Sequence, residues 1–251
     1  MERILLKPLS FRSLGLMLWT SISITSAGYG YEALFTPAIA QASDSDGYCK
    51  GRGSEGLING KGVCTFPSGN RYEGELRDSQ RQGRGTFIFT NGTRCEGNFQ
   101  DNLLNGKGIC IFPNGSRYEG NFRNNQREGR GIVTLADGTR CEGEFRNNLL
   151  NGAGACAFPG GNRYEGLFQD SRRQGRGTFT FANGTRCEGD FQNEVLNGFG
   201  ICTFPSGNRY EGEFRNGRQN GKGTYIFADG VRLEGVWRDG SYLSNAKTGR
   251  S

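Results

Sequence analysis

The chain has 251 residues, 43 of them glycine and 18 phenylalanine, with 31 basic and 25 acidic residues and no histidine. So much glycine opposes long helices, since each costs roughly 1 kcal/mol against alanine in a helix interior, while the frequent aromatics exclude a disordered composition. The net charge of +6 alternates in sign and leaves no basic run for nucleic acid, and the missing histidine removes the commonest general base and metal ligand.

Residues 1–42 share nothing with the rest of the chain. Arg3, Lys7 and Arg12 precede a short apolar stretch, Leu14 to Ile24, and Ala38-Ile39-Ala40 offers small residues where a signal peptidase reads. This is the order of a secretory signal peptide, cleaved near Ala40 or Ala42. The apolar stretch is shorter than the roughly 20 residues that span a bilayer, and its distance from Ala40 leaves an uncleaved N-terminal anchor as the alternative. Either reading exports the repeats to the periplasm or the cell exterior, free or associated with the envelope. Residues 43–48 read as a linker, 49–243 as one repeat domain and 244–251 as a polar tail.

From Tyr72 onward a period of 23 residues holds without a slip: Tyr72, Cys95, Tyr118, Cys141, Tyr164, Cys187, Tyr210 and Leu233, each followed by Glu-Gly. One unit back stands Cys49, in a degenerate first copy. Repeats of this kind decide architecture before any other signal. In residues 95–117, Arg94 to Phe99 reads as a strand, Gln100 to Asn105 as a polar loop, Gly106 to Phe112 as a second strand and Pro113 to Ser116 as a turn. The Asn114-Gly115 pair within that turn is a strong hairpin signal. The expected fold is all-β: an elongated antiparallel β-meander of about eight and a half hairpins, with seventeen strands extending about 80 Å. Residues 233–243 form a half-unit cap closed by Trp237.

Two positions change together along the array. Units opening with Cys carry a second Cys fifteen residues later, and units opening with Tyr carry Phe87, Val133, Phe179 or Tyr225 there. Positions that switch together face each other across a hairpin, about 4.5–5.5 Å apart. That register places Tyr72, Gly74 and Leu76 with Gly83, Gly85, Phe87 and Phe89 on one face. Rings lying over glycines then form a cross-strand aromatic ladder that serves as the core. Glu73, Glu75, Arg84, Thr86 and Ile88 make the other face more polar.

The unit resembles the MORN repeat (membrane occupation and recognition nexus), whose pattern is close to Tyr-Glu-Gly-x-Trp/Phe followed by Gly-x-Gly. The resemblance covers residues 72–237, with 49–71 as the degenerate copy. Phe usually replaces the Trp, and Cys replaces the first aromatic in alternate units. The resemblance implies tethering, oligomerisation or membrane association. The kinase and methyltransferase domains that accompany some MORN arrays have no counterpart in this chain.

An even number of cysteines in an exported chain points to disulfides. Successive Cys pairs lie four strands apart, about 19 Å, so partners must come from the same hairpin: Cys49–Cys64, Cys95–Cys110, Cys141–Cys156 and Cys187–Cys202. Buried free thiols are the alternative, and no close Cys pair or histidine supports a metal. No cofactor is expected. The glutamates after each Tyr or Cys form one ladder, expected to pair with nearby basic residues rather than act as catalytic carboxylates, so the chain reads as no enzyme.

Candidate ligand-binding residues are Tyr72, Tyr118, Tyr164 and Tyr210, with Arg81, Arg127 and Arg172 in the hairpin loops. The Cys units present Leu57-Ile58, Leu103-Leu104, Leu149-Leu150 and Val195-Leu196 at the corresponding loops. Either these residues line one edge with alternating apolar and basic spots, or the leucines fold inward to seal the sheet. The expected function is a scaffold for a protein partner or for self-association. The rival is direct binding of anionic lipid or polysaccharide by the tyrosine and arginine rows.

Overall fold

The computed structural model describes residues 47–54 and 57–244. The leader read over 1–42, most of the 43–48 linker and the tail after Ser244 lie outside the described residues. The odd strands are β1 (Tyr48–Ser54), β3 (Arg71–Arg77), β5 (Arg94–Gln100), β7 (Arg117–Arg123), β9 (Arg140–Arg146), β11 (Arg163–Gln169), β13 (Arg186–Gln192), β15 (Arg209–Arg215) and β17 (Arg232–Arg238). The even strands are β2 (Leu57–Thr65), β4 (Gln80–Ile88), β6 (Leu103–Ile111), β8 (Gln126–Thr134), β10 (Leu149–Ala157), β12 (Arg172–Thr180), β14 (Val195–Thr203), β16 (Arg218–Ile226) and β18 (Ser241–Ser244). Each pairs antiparallel with the strand before it and the strand after it, giving one open sheet of 18 strands in sequence order. The expected meander is present, with one strand more than the sequence indicated. Asp239 and Gly240, at φ 49° and 86°, turn the chain into β18, where Tyr242 pairs with Trp237.

Two kinds of turn alternate, and they differ from the sequence reading. The segment read as a loop from Gln100 to Asn105 is a two-residue turn, Asp101-Asn102, with both φ angles positive at 50° and 68°. Such primed turns match the twist of the flanking strands. β6 therefore begins at Leu103. The Asn-Gly site, by contrast, sits in a wider connection. Gly115 N–H donates to the Phe112 carbonyl and Phe112 N–H to that of Ser116, both at 2.9 Å. Proline at position 113 holds φ near −65° and so blocks a primed turn there; only Gly115 takes a positive φ.

The register is regular except at one recurring bulge. Across β5–β6, Cys95 faces Cys110 and Gly97 faces Gly108, but Phe99 then faces Leu104. β6 thus spends four residues where β5 spends two. The same irregularity separates Gly74 from Leu76, which faces Arg81 rather than Gly83. Gly83 is thereby rotated off the aromatic face, and a side chain at that position would meet the Glu75 carboxylate.

Two continuous rows organise the aromatic face. One contains the disulfides and their stand-ins: Cys64 pairs with Tyr72, Tyr72 with Phe87, Phe87 with Cys95 and Cys95 with Cys110, and so on along the array. The other is a line of glycines, one from every strand β1 to β17, running from Gly51 and Gly62 to Gly223 and Gly235. Tyrosine rings lie over these glycines. A Cβ on Gly131 would stand 2.3 Å from the Tyr118 hydroxyl oxygen, so no larger residue fits beneath the ring. Aromatic neighbours grip the rings edge-on: Tyr118 has Phe122 and Phe145 with centroids at 5.1 Å, Tyr164 has Phe168 at 5.1 Å and Phe191 at 4.9 Å, and Tyr210 has Phe214 and Trp237 at 5.2 Å. The core is one side chain deep and lies on the sheet itself.

Candidate functional site

All four disulfides join the predicted partners, with Cα–Cα distances of 3.9 Å for Cys49–Cys64 and 4.1 Å for the other three. No described cysteine is free. The sulfurs sit in the buried row, flanked by the rings of neighbouring units. Four such bridges fit an oxidising environment.

The tyrosines expected to bind ligand are fully buried. Each hydroxyl donates to the backbone carbonyl three residues on: Tyr72 to Glu75 at 2.8 Å, Tyr118 to Asn121 at 3.0 Å, Tyr164 to Leu167 at 3.0 Å and Tyr210 to Glu213 at 3.2 Å. These acceptors lie at the bulge, where the regular ladder is interrupted. Burial raises the phenol of all four, to about 12 for Tyr164, and the Arg81, Arg127 and Arg173 cations beside the first three only partly oppose it. The rings are structural in this arrangement and offer no surface to a ligand.

Arg81 and Arg127 are also buried, not displayed along an edge. The Arg81 guanidinium lies 4.9 Å from the Phe87 centroid and 5.1 Å from that of Phe66, and donates through Nε and Nη2 to the Asn102 carbonyl at 3.1 and 2.9 Å. Arg127 lies 5.4 Å from the Tyr118 ring, and burial lowers its pKa to about 10. Arg172 is exposed; the buried slot of that unit belongs to Arg173, whose Nε meets Glu194 at 2.7 Å. Counting 46 residues on from Arg127 would have given Arg173.

The second residue of each loop pair in the Cys units folds inward, leaving Ile58, Leu104, Leu150 and Leu196 buried. Their methyl groups occupy the space over the glycine row that tyrosine fills in the other units: a Cβ on Gly97 would meet Leu104 Cδ1 at 2.8 Å. The two alternations are therefore one. Tyr with Arg (Gln219 in the last unit), and Cys with Leu (Ile58 in the first), are two fillings of the same volume.

On the opposite face, Arg71, Arg94, Arg117, Arg140, Arg163, Arg186, Arg209 and Arg232 each pair with the glutamate two residues on. The expected pairing of the glutamate ladder is present. Between this ladder and the residues flanked by Gly-x-Gly runs an open trough of about 950 Å³ from β4 to β10. Its floor is the bare backbone of Gly97, Gly108, Gly120, Gly131, Gly143 and Gly154. One wall carries Glu96, Ile109, Glu119, Ile132, Glu142 and Ala155; the other carries Arg84, Lys107, Asn121, Arg130, Glu144 and Ala153. Arg84 was expected on this polar face, but its place on a trough wall is decided only in the folded sheet, since the side chains missing from the glycine row would point to the aromatic face.

The class of protein is thus a tandem array of disulfide-stapled β-hairpins forming one sheet. Models of the MORN repeat match residues 54–71, 72–94, 95–117, 118–140, 141–163, 164–186, 187–209 and 210–232, and the chain belongs to the MORN-repeat family. No curated protein matches it. Among solved structures it is similar to the wild-type TCP10 domain of Danio rerio CPAP, at 14% identity over 80% of this chain and 95% of that one, with a TM-score of 0.45. It is similar also to the Drosophila melanogaster SAS-4 (dCPAP) TCP domain solved with a proline-rich motif of Ana2, at 17% identity over 61% and 83%, with a TM-score of 0.40. A virginiamycin B lyase from Staphylococcus aureus matches at 11% identity over 75% and 59%, with a TM-score of 0.16.

Proposed function

We propose that this protein is a non-catalytic, exported scaffold that holds a protein partner along the open face of its sheet. The observation that carries this reading is the trough from β4 to β10. The other face is consumed by its own packing: tyrosines, Arg81, Arg127 and the disulfides are all buried there. The glutamate ladder is neutralised residue by residue by its arginines, so none of its carboxylates stands apart as an acid or base. Four disulfides support an oxidising compartment, and the basic, apolar and small-residue order over residues 1–42 supports delivery by a cleaved signal to the periplasm or the cell exterior. The lipid or glycan rival loses all of its named residues except Arg172 to burial.

Crosslinking the oxidised protein in its native compartment, followed by mass spectrometry, tests the reading. Crosslinks from Lys107 to one protein, or to a second copy, are expected. Binding to anionic liposomes or acidic polysaccharide, with no protein crosslink at the trough, would overturn it.

A further inference from the structure

Resting on that scaffold reading, we propose that the trough takes a polyproline II segment of the partner, with acidic side chains three residues apart lying on Arg84 and Lys107. Along the first wall, Glu96, Glu119 and Glu142 are each held by Arg94, Arg117 and Arg140 at 3.0, 2.8 and 2.8 Å. On the second wall, Arg130 is held by Glu144 at 3.1 Å. Among the described residues Arg84 and Lys107 form no ion pair; Asn98 and Asn121, which face them on β5 and β7, are neutral, and the Glu75 carboxylate on β3 lies over Gly83 with no ion pair to Arg84. Both cations are exposed. The trough therefore carries two uncompensated positive charges on a wall whose other charges are matched, and the complementary ligand is acidic.

Geometry then selects the conformation. Arg84 stands on β4 and Lys107 on β6, two strand steps apart, about 9.6 Å at ordinary strand spacing. A chain crossing the strands must present two acidic groups at that interval on one side. In a β-conformation, residues three apart are separated by about 10 Å but point to opposite sides. In a polyproline II helix one turn is three residues and rises about 9.3 Å, so residues i and i+3 fall on the same side at the required interval. The trough from β4 to β10 is six strand steps, about 29 Å, which accommodates about nine such residues.

The floor suits the same ligand. The glycine row presents only backbone, and the walls flank it at one residue on either side. Ile109, Ile132 and Ala155 supply an apolar surface for pyrrolidine rings. A polyproline II segment is already ordered before binding, so it gives up little conformational entropy on an otherwise shallow surface.

The test uses the full oxidised chain and fluorescent peptides read by anisotropy. A peptide of repeated Pro-Pro-Glu triplets should bind, and one with the same composition but its glutamates in a single block should bind more weakly. Arg84→Glu with Lys107→Glu should weaken the triplet peptide by on the order of tenfold or more, since two exposed charge pairs are lost. Arg176→Glu with Lys222→Glu, the same charge change in the same row beyond the trough, should leave it unaltered. Equal affinity for the block peptide, equal loss in both double variants, or no binding to any peptide would each overturn the proposal. Retained co-purification of the same protein partner with the Arg84→Glu/Lys107→Glu variant would sink this inference while leaving the scaffold reading intact.

Discussion

Replacing Gly131 by alanine should cost far more than its single methyl group implies. The added Cβ would stand 2.3 Å from the Tyr118 hydroxyl oxygen and 2.6 Å from two ring carbons, where ordinary contact begins at 3.4 Å. The ring has nowhere to retreat. Phe122 and Phe145 hold its edges, the Arg127 guanidinium lies 5.4 Å from its centre, and its hydroxyl is bonded to the Asn121 carbonyl. Overpacking costs about 1–3 kcal/mol, and displacing the hydroxyl strands a carbonyl at about 1–3 kcal/mol. A loss of about 3 kcal/mol is expected. Stability in a repeat array is local, coupled chiefly to nearest neighbours, so hydrogen exchange resolved by peptide is the appropriate assay. Protection should fall in β7 and β8 and hold in β15 and β16. Gly200→Ala, at the matching site of a Cys unit, is the control: its contacts are 3.0–3.1 Å and include a flexible leucine methyl. If Gly131→Ala costs no more than Gly200→Ala, or if Tyr118→Leu does not relieve it in a double-mutant cycle, the account of rings seated on glycines is wrong.

Alanine at both Cys95 and Cys110 should destabilise its hairpin by up to about 3 kcal/mol, the chain-entropy value for a loop of this length; unchanged exchange in β5 and β6 would contradict it. Arg81→Ala should cost about 2 kcal/mol through two lost bonds to the Asn102 carbonyl and two ring contacts, whereas a surface arginine would change the denaturation midpoint little. Glu119→Gln removes an exposed ion pair and should fall within about 0.5 kcal/mol of the parent in the same measurement. Burial raises the four row tyrosines above the ordinary value of 10.0, so below that value their contribution to stability is complete. The folded state then retains protons that the unfolded state loses, and stability should decline as pH rises from 10 through about 12, the value for Tyr164. Absorbance at alkaline pH should show these four phenols ionising only with unfolding; early ionisation without loss of structure would refute their burial.

Much of the array was legible because repetition amplifies weak local signals. Strand pairing, the Cys partners and the aromatic face all followed from positions that change together, since a period-two side-chain alternation leaves few registers that bury one face. The recurrent bulge was not legible. It depends on a balance between ladder hydrogen bonds and the space a tyrosine hydroxyl needs, and Gly83 or Gly106 alone does not announce which strand carries the additional residues. The hairpin turns were interchanged for a similar reason: Asn-Gly is permissive for several turn types, and the same wider connection forms whether Pro113, Thr90 or Ala136 precedes the Asn-Gly or Asp-Gly pair.

The amino-acid order by itself determined that this chain is a row of hairpins with its sulfurs matched inside each one. Both facts follow from spacing, and spacing survives in one dimension. Only the folded sheet decided which residues are available. Tyr72, Arg81 and Arg127 look like a binding row when read in line, but pleating and the bulge turn them inward, where desolvation is offset by stacking and hydrogen bonds. Arg84 and Lys107, ordinary in the sequence, become the unmatched charges of a trough because the ion pairs around them close in three dimensions.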